Sequence, residues 1–95
     1  MGEMGSGMAD SEIVEIRFSA GSAEKITVQF EPLGTWFDLA DDDYIILRTP
    51  RNKIDALQVE VLPSGIKVWV AYPEDRVWSD EHIILDRHMV EIGRL

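Results

Sequence analysis

The sequence predicts an all-β domain, built as an antiparallel β-sandwich, a jelly roll or a small barrel of about seven to nine short strands. Three observations carry this. Apolar and polar residues alternate with period two in one run after another, and Gly, Pro, Asp and Ser interrupt the runs at short intervals. No segment long enough for a helical crossover separates successive runs, so parallel α/β architecture is excluded and the strands are expected to pair antiparallel throughout.

Residues 1–11 (MGEMGSGMADS) show neither helical nor strand periodicity and are expected to form a disordered tail, leaving 12–95 as a single β domain. Val14, Ile16 and Phe18 then share one face of a strand, with Glu15 and Arg17 on the other. After the turn sequence SAGSA, Ile26, Val28 and Phe30 alternate with Lys25, Thr27 and Gln29, so the first two strands read as a hairpin. Pro32 and Gly34 mark a turn before a third strand, in which Thr35, Phe37 and Leu39 oppose Trp36 and Asp38. The triplet Asp41, Asp42, Asp43 disfavours strand and favours turn. The nearly continuous apolar run Tyr44 to Leu47 after it suits a strand covered on both faces.

Pro50 ends that strand and Arg51 to Lys53 form a basic loop. Leu57, Val59 and Val61 alternate with Gln58 and Glu60, and the turn Pro63, Ser64, Gly65 joins them to Ile66, Val68 and Val70 in a second hairpin. From Ser79 to Ile92 two readings compete. A helix would be capped by Ser79, with Asp80 and Glu81 in its first turn, whereas two short strands would meet at Asp86, Arg87 and His88. Ile83, Ile84, Leu85, Met89, Val90 and Ile92 make no clean helical stripe, which favours the strands.

The order Val28, Phe30, Glu31, Pro32, Gly34, Phe37, Leu39, followed by Val59, Glu60, Val61, Gly65, Ile66, Val68 and Trp69, resembles small uncharacterised bacterial β-domains built around an E-P-x-G turn and a later G-I-x-V-W strand. The resemblance implies a compact β fold and no activity.

A chain of 95 residues, 45% hydrophobic and 28% charged, suits one globular domain with a modest core. It contains no cysteine, so disulfides and thiolate metal sites are excluded and a reducing, cytoplasmic setting is expected. No apolar run reaches membrane-spanning length, and the N-terminal residues lack the charged and apolar regions of a signal peptide. A formal charge of -9 repels phosphate, which argues against nucleic acid and makes a charged partner, if there is one, basic.

Candidate chemistry is sparse. His82 and His88 lie near Asp80, Glu81 and Asp86, but their spacing fits no metal motif and they read as surface histidines solvated among carboxylates. Asp38, Asp41, Asp42 and Asp43 lack the alternation, glycine and terminal Glu of an EF-hand loop. Nothing resembles an activated nucleophile or a phosphate-binding glycine loop, so no catalytic, cofactor or metal residue is assigned.

Trp36 and Trp69 remain. Both are out of phase with the core residues of their strands and therefore point to the nominally polar face. With Asp38, Asp41, Asp42 and Asp43 they form the candidate interaction surface. The expected function is a small acidic protein-interaction module of the inhibitor, immunity or accessory-subunit type, or one that self-associates. The alternative is a β-sandwich that binds a small ligand or metal through its His and Asp residues, with an enzymatic role.

Overall fold

The computed structural model describes residues 12–21, 25–71 and 82–95. The predicted tail, Trp78, Ser79, Asp80 and Glu81 lie outside the described residues. Eight strands fall within them: β1 (Ile13–Ser19), β2 (Ile26–Glu31), β3 (Thr35–Leu39), β4 (Tyr44–Pro50), β5 (Gln58–Leu62), β6 (Gly65–Trp69), β7 (Ile83–Asp86) and β8 (Glu91–Arg94). A short 3-10 helix, Arg51–Ala56, replaces the basic loop between β4 and β5. The strands form two four-stranded sheets, ordered β1-β4-β7-β8 and β3-β2-β6-β5, packed as a sandwich.

Two expected pairings are corrected. β1 does not form a hairpin with β2 but pairs antiparallel with β4, from Ile13 opposite Pro50 to Ser19 opposite Tyr44. Alternation specifies which face of a strand is buried, not which neighbour it takes. Here the two apolar faces meet across the sandwich, where the Phe18 and Phe30 rings pack edge to face at 6.1 Å. The second correction is that β2 and β6 run parallel, Val28 opposite Ile66 and Phe30 opposite Val68. Parallel neighbours need a long connection, and β3, β4 and β5 supply it without any helical crossover.

The core follows from the alternation. Val28, Phe30, Leu39 and Val68 from one sheet meet Ile45, Leu47 and Ile84 from the other, closed by Leu95. Burying each of the larger side chains stabilises the fold by about 1.5–3 kcal/mol. Phe30 is central, with Phe18 and Phe37 each edge-on to it at 6.1 Å. The double cover expected of β4 is present. Ile45 and Leu47 face the core, while Ile46 is buried on the opposite face beside its register partner Leu85.

The C-terminal segment forms the two strands the pattern favoured, joined through Arg87, His88 and Met89. Asp86 organises that turn: its Oδ1 accepts hydrogen bonds from the amides of His88 at 2.8 Å and Val90 at 3.0 Å. Gly93 of β8 sits against Phe37 of β3, where an added Cβ would lie 2.9 Å from the ring. β8 therefore lies over β3, and the strand orders place β1 on the β5 side of the sandwich.

Candidate interaction surface

The outer face of the β3-β2-β6-β5 sheet is built from the residues that alternate with its core. Register aligns Trp36 with Gln29 and Lys67 with Gln29 and Glu60, while Trp69 lies between Glu31 and Gln58. Trp36 and Trp69 therefore point to one face. They stand two strands and two residues apart, a separation of about 12 Å from ordinary sheet spacings. Trp36 is 63% exposed and Trp69 40%. Gln29 and Glu31 lie between them, joined by a hydrogen bond from Gln29 Nε2 to Glu31 Oε2 at 2.5 Å.

Asp38 shares this face. Its carboxylate accepts from Thr27 Oγ1 at 2.7 Å and lies 3.8 Å from Lys25 Nζ. Asp41, Asp42 and Asp43 are elsewhere, in the turn between β3 and β4. The backbone of that turn is tied to the end of β1, with the Asp42 amide donating to Gly21 and the Ala20 amide to Asp43. Asp42 has a φ of 61°, a left-handed conformation that Asp tolerates better than most residues. The structure thus joins Trp36, Trp69 and Asp38 and leaves the aspartate triplet apart.

The outer face of the other sheet is different in kind. Its charges are engaged within the chain: Arg48 binds Glu15 across the β1–β4 pair at 2.7 Å, and the Arg17 guanidinium lies 3.8 Å from the centre of the Tyr44 ring.

His82 corrects the sequence reading, for it is buried, only 1% exposed. It sits one step inward of Ile84 and so continues the core phase of β7. Its Nε2 lies 2.7 Å from the Ala71 carbonyl oxygen and its Nδ1 2.8 Å from Thr49 Oγ1. A carbonyl can only accept, so Nε2 carries a proton, and in the neutral ring Nδ1 accepts from the Thr49 hydroxyl. The shared phase of His82 and Ile84 was the available signal, masked by the acidic residues preceding it. His88 is exposed in the β7–β8 turn. Among the described residues no three His, Asp or Glu side chains come together in a way that could hold a metal ion.

A groove of about 560 Å³ opens beside β1, lined by Val14, Ile16, Arg51, Asn52, Ile54 and Asp55. Among the described residues no helix is long and apolar enough to cross a membrane. The chain matches no family model, no curated protein and no solved structure.

Proposed function

We propose that this chain is a protein-interaction module that docks a partner on the outer face of the β3-β2-β6-β5 sheet. One observation carries the reading: two tryptophans from separate strands are exposed on the same face, 63% and 40%, where the alternation calls for polar residues. Large, rigid rings bury much area on docking at little entropic cost, which is why they recur as interface anchors. Asp38, Glu31 and Glu60 share that face with Lys67, and the chain as a whole carries -9. A basic partner fits this balance, steered in by the field and held by the rings.

The test is to change Trp36 and Trp69 to Ala, singly and together, and to follow both thermal stability and retention of a partner from the native cell. The expected result is lost retention with stability changed by no more than about 1 kcal/mol per site. A loss of about 3 kcal/mol or more per site, the scale for truncating a core aromatic, would assign both rings to internal packing.

A further inference from the structure

We infer that the edge of β5, which pairs with no further strand among the described residues, accepts with the groove beside β1 an extended segment of a partner protein by strand addition, the segment alternating apolar with basic residues. This surface adjoins the tryptophan face at Glu60 but is built on the β5 backbone edge and the inner face of the sheet, which the tryptophan reading does not use.

The backbone geometry comes first. Val70 N donates to Glu31 O, and Ser64 O accepts from Thr27 N, so the even-numbered residues of β6 direct their backbone groups toward β2. The odd-numbered residues Gly65, Lys67 and Trp69 therefore face β5, where they pair with Leu62, Glu60 and Gln58. By alternation Val59 and Val61 turn their N–H and C=O groups outward, to the edge of a sheet that ends at β5 among the described residues. Pro63 has no N–H and closes the strip at one end, while the Leu57 amide is already used by Ile54 O.

The side chains extend the case. Val59 and Val61 lie opposite Val68 and Ile66 on the inner face of the sheet, yet they are 48% and 80% exposed. On the same side of the sandwich the groove adds Val14, Ile16 and Ile54 as further apolar surface. A strand added to β5 would drop alternate side chains onto this surface, the arrangement by which added strands gain specificity.

Charge selects the occupant. The residues of the added strand that point the other way meet Glu60 on the outer face, and Asp55 lines the groove. Both carboxylates are exposed, and among the described residues neither has an ion-pair partner. Arg51, also at the groove, lies 3.8 Å from Glu12. A second copy of the chain would bring another -9 to the same edge, whereas a basic strand would neutralise it.

The probe is a short synthetic peptide alternating valine with lysine, titrated against the full chain by calorimetry and by amide exchange in NMR. The Val59 and Val61 amides are expected to exchange freely in the unliganded protein and to become protected by the peptide. Val61→Pro removes an outward N–H without touching the β5–β6 ladder and should weaken binding by about tenfold or more. Glu60→Lys should weaken it by a similar factor and invert the preference toward a valine–glutamate peptide. N-methylating alternate amides of the peptide gives the same loss with no change to the protein, which covers the case in which a variant fails to fold. Equal binding of the methylated peptide, or of the Val61→Pro variant, overturns the proposal. So does protection of Val59 and Val61 before any peptide is added, whether from the chain's own residues or from a dimer seen by sedimentation. Trp36→Ala, on the opposite edge strand of the sheet, should leave the peptide titration unchanged, so failure of the tryptophan-face reading and failure of this one are separable.

Discussion

The two sides of the sandwich are finished differently. On the β8–β3 side Gly93 lets the Phe37 ring close against the backbone, and Leu95 beyond β8 is 2% exposed, its amide bound to His82 O. On the β1–β5 side a groove stands open and Val61 is 80% exposed, although it is in phase with the core. The same binary pattern thus produces a sealed margin and an unsealed one. What separates them is whether another part of the chain packs over the strand, which the pattern within a strand does not encode.

The largest test of this contrast sets Phe30→Ala against Val61→Ala. Phe30 is fully buried and touches aromatic rings from β1 and β3, so its truncation should cost about 3–5 kcal/mol. Val61→Ala should stay within about 0.5 kcal/mol. Denaturant melts of both variants check this, and comparable losses would mean that the β5 margin is packed in solution.

A smaller effect is expected from Thr49→Val in the sealed interior. The substitution keeps the volume and removes the hydroxyl hydrogen-bonded to His82 Nδ1, at a cost of about 0.5–1.5 kcal/mol for one buried hydrogen bond. An unchanged melting midpoint would show that the Thr49 hydroxyl does not contribute to holding His82 in the core.

Much of this was legible from residue order. The strands, the β5–β6 hairpin, the double burial of β4 and the outward phase of Trp36 and Trp69 follow from alternation and turn chemistry, which are local. Partner choice is not local. Nothing in the sequence around Ser19 distinguishes a hairpin from a crossing to the other sheet, and nothing in β6 announces that it lies parallel to β2. His82 was hidden because its polarity and acidic neighbours outweighed its phase, and its burial depends on Thr49 and Ala71, distant in the chain. The exposure of Val59 and Val61 depends on packing between distant segments and was equally out of reach.

The finest probe of the sealed margin is its turn. The Asp86 carboxyl is held below the usual carboxylate range, chiefly by the Val90 amide and against the cost of desolvation, with the His88 amide and the charges of His88 and Arg87 adding to the lowering. A group whose folded value is depressed contributes its stability above its unfolded value, and that contribution is lost as pH falls through the folded value. The window therefore opens at the ordinary Asp value of 3.8 and extends below it. Asp86→Asn keeps an acceptor for the two amides but removes the titration. Melting midpoints measured from neutral to acidic pH should show the variant less stable at neutrality, with the two curves converging through that acid window. Because the carboxylate is exposed, the difference should be the smallest of the set, and the β5 edge amides should exchange identically in both proteins. Parallel curves with no convergence would show that Asp86 does not act on the turn through its charge.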